Sequence, residues 1–125
     1  MTSVLRSFAS NKDMSQKDLS SLSTYTITKY DAQNQLYYRG STTINITLPS
    51  KITAKWNSFP IIYLANMSLL SGSLMTFYLD TNVRVKAPDN ENYTSSFSLR
   101  GGFNGYLLYV GDDQWMLQGV GANVV

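Results

Sequence analysis

The strongest constraint on the fold is a repeated alternation of apolar and polar residues with a period of two. It is clearest in "STTINITLPS", where Ile44, Ile46 and Leu48 alternate with threonines and Asn45. Successive side chains of a β-strand point to opposite faces, so this pattern predicts a strand that is buried on one face. Pro49 ends the strand, because proline has no N–H to donate to a sheet.

Comparable segments recur about every ten residues, separated by residues that favour turns. They predict strands within 24–30, 41–49, 60–66, 73–79, 82–86, 95–101, 106–110 and 114–118, with "DAQNQ" (31–35) as the turn of a first hairpin. This spacing is typical of a sandwich or small barrel, and no segment supports a helix longer than two turns. We therefore predict an all-β fold: one small, jelly-roll-like β-sandwich of about eight short antiparallel strands.

The first 22 residues lack this alternation, and their apolar residues are scattered. We interpret residues 1–22 as an irregular N-terminal arm that orders against a partner or a neighbouring subunit, with a frayed terminus as the alternative. Ser15 and Asp18 resemble a capping box and predict one helical turn over 16–22. The β-sandwich domain would then span 23–125. No signal peptide and no membrane-spanning segment is expected, because no apolar stretch is suitable.

Composition excludes several kinds of chemistry. The chain contains no cysteine and no histidine, so disulfides, zinc–thiolate sites, cysteine nucleophiles and histidine-dependent triads are ruled out. The net charge of +2 is too small to indicate nucleic-acid binding. We expect a protein that is not an enzyme and that needs no cofactor or metal.

The carboxylates of the second half, at positions 80, 89, 91, 112 and 113, all fall in predicted turns or loops. Glycoside hydrolysis needs two carboxylates that face one bond, which neighbouring Asp112 and Asp113 cannot be assumed to do. Asp89 and Glu91 offer oxygen ligands for calcium, but the EF-hand pattern is absent. Because glycine and aspartate favour turns, Gly111, Asp112 and Asp113 are predicted to form the turn of the last hairpin.

Aromatic and leucine residues supply the candidates for subunit contacts. Trp115 shares a predicted strand face with Leu117, which indicates a core or interface residue. Trp56, Trp115 and many of the tyrosines could instead form a face on which sugar rings stack. The predicted interface or anchor residues are Leu5, Phe8, Leu19, Leu22, Trp56 and Trp115.

Three segments of the second half carry a family resemblance: "TLPS" (47–50), "SLMTFYLDTNVRVK" (73–86) and "SLRGGFNGYLLYVGDDQWMLQG" (98–119). Together they resemble a β-module of tailed-bacteriophage virion proteins over about residues 41–119. That module opens with a strand ending Thr-Leu-Pro and closes with an Arg-Gly turn and Trp-x-Leu-x-Gly. The middle segment departs from the module in having fewer glycines. The matching residues are Thr47, Leu48, Pro49, Arg100, Gly101, Leu107, Tyr109, Gly111, Trp115, Leu117 and Gly119.

The resemblance implies a non-enzymatic structural protein of the virion. Because the module forms nearly the whole chain, a head-decoration or accessory capsid protein is favoured. Such a protein would form a homo-oligomer, with a trimer favoured, on other virion proteins such as the major capsid protein. The alternative is a tail-fibre or spike component that binds host-surface glycan. An enzyme that cleaves polysaccharide through carboxylates is a third hypothesis. Neither nucleic acid nor membrane is an expected partner.

Overall fold

A computed structural model describes residues 15–56, 59–70, 72–87 and 93–120. Within these residues the chain forms eleven strands, one α-helix and one 3-10 helix. The predicted candidates Leu5, Phe8, Asp89 and Glu91 lie outside the described residues. The helices are the 3-10 helix Lys29–Asp31 and α1 (Lys51–Ala54), and the strands are β1 (Gln16–Asp18), β2 (Thr24–Thr26), β3 (Gln35–Tyr38), β4 (Thr43–Leu48), β5 (Ile61–Asn66), β6 (Leu74–Leu79), β7 (Arg84–Lys86), β8 (Tyr93–Thr94), β9 (Ser96–Arg100), β10 (Asn104–Gly111) and β11 (Gln114–Val120).

The strands form two sheets that pack face to face around one core. The large sheet has the order β1-β3-β5-β10-β11-β7-β8, and the small sheet has the order β2-β4-β6-β9. From β1 to β6 the chain alternates between the sheets. Strands that neighbour each other within a sheet therefore run parallel in this part, as in β1–β3–β5 and β2–β4–β6.

The predicted all-β, two-layer class is confirmed, but the predicted strand directions are partly wrong. Five of the nine strand pairings among the described residues are parallel: the four among β1 to β6, and the pairing of β7 with β11. The predicted first hairpin is also absent, since β2 and β3 belong to different sheets. Period-two alternation shows which face of a strand is buried, and it carries no information about the neighbour with which the strand pairs.

The connection between β2 and β3 is organised by a buried carboxylate. Asp31 accepts hydrogen bonds from the hydroxyl of Tyr25 at 2.7 and 2.9 Å and from the backbone N–H of Thr28 at 2.8 Å. Thr28 caps the 3-10 helix, and Asp31 completes a capping box with it. A buried carboxylate needs such partners, so the segment folds around Asp31.

Residues 15–22 form a strand and a turn where the sequence predicted a helical turn. β1 pairs in parallel with β3, and the side-chain amide of Gln16 donates to Gln35 at 2.8 Å. Leu19 follows the strand and is fully buried in the core. The helical prediction is wrong because pairing with β3 engages the backbone of this segment.

Between the sheets the core follows the predicted alternation closely. Ile44, Ile46 and Leu48 of β4 are fully buried, while Thr43 and Asn45 are exposed. Phe77 and Phe97 stack at a centroid distance of 4.6 Å across β6 and β9. The inward residues of both sheets thus form one continuous apolar layer.

The loops gather at two ends of the sandwich, as the strand registers require. One end, called the hairpin end, comprises loops 27–34, 49–56, 80–83 and 111–113. The opposite end, called the leucine end, comprises loops 19–23, 39–42, 67–70 and 101–103.

Candidate interaction surfaces

The last hairpin closes through the turn that the sequence predicted. Gly111, Asp112 and Asp113 join β10 to β11 and have φ angles of 104°, 55° and 57°. Glycine adopts this left-handed region freely, and aspartate tolerates it better than most residues do. The turn reverses the chain so that Tyr109 and Trp115 pair across the hairpin.

Two carboxylates of the hairpin end, those of Asp80 and Asp113, hold backbone groups in place. The Asp113 carboxylate accepts from the backbone N–H of Lys51 at 2.7 Å, and Asp80 accepts from that of Ser50 at 3.2 Å. Both bonds fix the turn from β4 into α1, where the hydroxyl of Ser50 caps the helix. Within the described residues, no three acidic, histidine or cysteine side chains gather as metal ligands would. These contacts give Asp80 and Asp113 a structural role.

Trp115 is a core residue and not a contact for another chain. Its side chain has 0% exposure, and its ring meets those of Tyr109 and Trp56 edge-on at 5.0 and 5.6 Å. Trp56 and Leu19 are buried as well. A buried side chain has no surface to offer a partner, so an interface role does not fit Trp56 and Leu19, and Trp115 takes the core position that was one of its two predicted alternatives. The remaining described candidate, Leu22, is 39% exposed at the leucine end.

The leucine end presents an apolar surface that the sequence reasoning did not identify. We call residues 67–70 the apolar loop. Leu69 is 100% exposed, Leu70 53% and Met67 39%. Two adjacent leucines in the connection between the predicted strands 60–66 and 73–79 are the signal that could have revealed it, because connections are usually polar.

The apolar loop is held in place by the buried side chain of Asn66. This amide donates to the carbonyl of Leu99 at 2.9 Å and accepts from the N–H of Ser68 at 3.2 Å. Ser68 in turn accepts from the N–H of Leu70 at 3.1 Å. Any side chain at Gly101 would collide with the carbonyl oxygen of Ser68, so glycine lets the β9–β10 turn approach the loop.

The outer face of the large sheet carries a second surface, the tyrosine face, defined by Gln35, Tyr37, Tyr63, Tyr106 and Gln118. Tyr63 and Tyr106 are paired neighbours with ring centroids 6.0 Å apart. Gln35 pairs with Tyr63, and Gln118 pairs with Tyr106, so amides border the rings on both sides. Half-buried rings beside amides can contact sugars or a protein surface.

Geometry therefore defines a small, two-sheet all-β domain with an apolar end and an aromatic face. The comparisons with known proteins find no family model, no curated protein and no solved structure that matches this chain. None of the helices in the described residues is long and apolar enough to cross a membrane.

Proposed function

We propose that the protein is a non-enzymatic structural component of a bacteriophage virion. In this role it is a head-decoration or accessory capsid protein that assembles as a homo-oligomer, with a trimer favoured, on the major capsid protein. The observation that supports assembly with other protein chains is the apolar loop with its exposed Leu69 and Leu70. The virion setting rests on the resemblance of residues 41–119 to phage β-modules.

The apolar loop has the properties of a contact site. Burying one leucine side chain contributes about 1.5–3 kcal/mol, so Leu69 and Leu70 together can drive association. Asn66 and Ser68 already fix the loop, which reduces the conformational entropy lost on binding. Contiguous exposed apolar surface on a soluble protein often marks such a site.

Charge around the loop indicates the kind of surface that it fits. Arg39 lies beside the loop, with its guanidinium 3.9 Å from the sulfur of Met67. Exposed Arg100 ends β9 at the same end of the sandwich. An apolar centre with a charged rim is the usual anatomy of a protein–protein contact. The complementary surface has an apolar centre and an acidic rim.

The first experiment measures the protein on purified particles of the phage that encodes it. Many copies in a fixed ratio to the major capsid protein are expected for a decoration protein. Absence from the particles would refute the virion role. A few copies located only at the tail would favour the fibre or spike alternative.

The second experiment tests the apolar loop directly. Light scattering should give the mass of an oligomer for the native chain and a lower mass for Leu69→Asp combined with Leu70→Asp. The same variant should lose binding to particles that lack the protein. Ile52→Asp is the matched control, because Ile52 is 86% exposed at the hairpin end. Unchanged mass and particle binding in the double variant would exclude the loop as the contact.

The tyrosine face supports the alternative, a tail-fibre or spike component that binds host-surface glycan. Tyrosine rings stack on sugars, and Gln35 and Gln118 can bond to hydroxyl groups. A glycan array would show binding by the native chain that Tyr106→Ala removes. Tyr30→Ala is the control, because Tyr30 is exposed on the 3-10 helix and is not one of the residues of this face. No adhesion by the native chain would eliminate this alternative.

A further inference from the structure

An open groove lies at the hairpin end, where the end of β2 and the 3-10 helix face α1. Its volume is about 400 Å³, within the range of sites that hold small ligands. Ile27, Pro49 and Ala54 form its apolar part, and the first two are buried. Such a surface suits the carbon face of a small organic molecule.

Hydroxyl groups line the groove. Thr26, Thr28 and Thr53 line it. The hydroxyl of Thr28 already contacts Asp31 and the N–H of Tyr30, and that of Thr53 accepts from Ser50, but a hydroxyl has one donor and two acceptor sites, so capacity remains for a ligand. Thr26 also pairs with Thr47 of β4, so the polar, uncharged surface continues onto the outer face of the small sheet. A ligand with several hydroxyl groups matches this surface.

The charges that line the groove are positive. Lys29 and Lys55 line it, and no carboxylate does so among the described residues. The ammonium of Lys29 lies 5.3 Å over the ring of Tyr30, and neither lysine has an ion-pair partner in the described part of the chain. Asp31 lies behind Thr28, but its carboxylate is buried and already accepts bonds from Tyr25 and Thr28. The groove therefore complements an anion.

The backbone of Lys55 adopts a conformation that is unfavourable for a residue with a side chain. It ends α1 with φ 61°, in the left-handed region where glycine or asparagine is usual. A residue with a long, unbranched side chain, such as lysine, is strained in this region. Backbone strain of this kind is concentrated at functional sites. A lysine at this position projects its charge beside the groove where a glycine would have been easier to accommodate.

We propose that this groove binds a small hydroxylated anion, a sugar acid or a sugar phosphate, free or as a residue of an acidic polysaccharide. Lys29 and Lys55 bind the anionic group, the threonines bind hydroxyls, and Ile27 and Pro49 contact the carbon skeleton. This site is separate from the apolar loop and from the tyrosine face, and it does not depend on the proposed virion role.

Titration calorimetry on the full chain tests the proposal with galacturonate, glucose 1-phosphate, polygalacturonate and neutral galactose as probes. Galacturonate or glucose 1-phosphate should bind, and galactose should bind at least about tenfold more weakly because it lacks the charge-assisted bonds. Tighter binding of galacturonate than of glucose 1-phosphate would identify the ligand as a sugar acid, and the reverse order would identify it as a sugar phosphate. Tighter binding of polygalacturonate than of galacturonate would show that the ligand is a residue of a polysaccharide. Binding should weaken as the salt concentration rises.

Charge-removing variants locate the site. Lys29→Gln and Lys55→Gln should each weaken anion binding by about tenfold, since each removes a charge-assisted bond. Lys86→Gln is the matched control, because Lys86 lies on the outer face of the large sheet. Unfolding midpoints of all three variants establish that they fold. The proposal is overturned if neither anion binds the native chain, or if both groove variants bind as tightly as the control.

Discussion

The Asp113 carboxylate accepts a hydrogen bond of 2.7 Å from the backbone N–H of Lys51, across 62 residues of chain. The turn of the last hairpin is thereby joined to the segment that follows Thr-Leu-Pro. The opening and closing motifs of the family resemblance, far apart in sequence, thus meet at the hairpin end. Asp113, which the sequence placed in the turn of the last hairpin, connects the two motifs.

Replacing Asp113 should test this connection. Asp113→Ala is expected to lower the free energy of unfolding by about 1–3 kcal/mol, because the N–H of Lys51 loses its acceptor and alanine is strained at φ 57°. Asp113→Asn keeps an acceptor oxygen and should cost less. Urea unfolding measures both, with Asp112→Asn as the control at the neighbouring exposed position. Equal stability of Asp113→Ala and the native chain would contradict the role assigned to this bond.

Asn66 should be among the most sensitive polar residues of the chain. Asn66→Ala is expected to cost about 2–4 kcal/mol, because it leaves the carbonyl of Leu99 and the N–H of Ser68 without partners. Amide exchange of Ser68 should also accelerate. Asn45→Ala, on the exposed face of β4, is the control and should change stability by less than about 0.5 kcal/mol. A similarly small effect at Asn66 would show that the apolar loop is held by other contacts.

Trp115 should tolerate an aromatic replacement better than truncation. Trp115→Ala is expected to cost about 3–5 kcal/mol, because it opens a cavity beside Tyr109 and Trp56. Trp115→Phe should cost clearly less, since it fills more of the space and removes a buried indole N–H that lacks a hydrogen-bond partner. Denaturant unfolding checks the order, with Tyr78→Ala as a control at an exposed strand position. Equal costs for the two Trp115 variants would be inconsistent with tight packing of this ring.

Tyr25 should give the protein a distinctive alkaline titration. Burial, followed by the hydrogen bond to Asp31, raises the pKa of its phenol well above the ordinary value of 10.0. Because the folded-state pKa is raised, the associated stability is present below pH 10.0 and declines as the pH rises above it. Ultraviolet titration should show that Tyr25→Phe removes a late-titrating phenol that Tyr30→Phe retains. No difference between the two variants would contradict the Tyr25–Asp31 pairing.

Local pattern was sufficient for some features of the fold and not for others. Ile44, Ile46 and Leu48 face the core as their alternation predicts, and Gly111 to Asp113 form the predicted turn, because both features depend on neighbouring residues. Strand partners could not be predicted from local pattern. β1 pairs with β3, but the chain between them first forms β2 in the other sheet. The burial of Trp56 and Leu19 likewise depends on distant parts of the chain.

The candidate surfaces also depend on contacts between residues that are far apart in sequence, which local pattern does not show. The exposure of Leu69 depends on Asn66, which is tied to Leu99 at a separation of 33 residues. The groove brings Lys29 and Lys55 together from connections that precede different strands. Sequence spacing showed neither relation, because the first needs the packing of one sheet on the other and the second needs the pairing of β2 with β4.

The position of the last hairpin has a consequence for biosynthesis. β10 and β11 are made last among the described strands, yet they occupy the middle of the large sheet, between β5 and β7. On the ribosome, β1, β3 and β5 emerge long before the strands that join them to β7 and β8. The large sheet can be completed only after residue 120 has left the exit tunnel, so we expect this domain to fold as a unit once β11 has emerged, and not progressively from β1 onward.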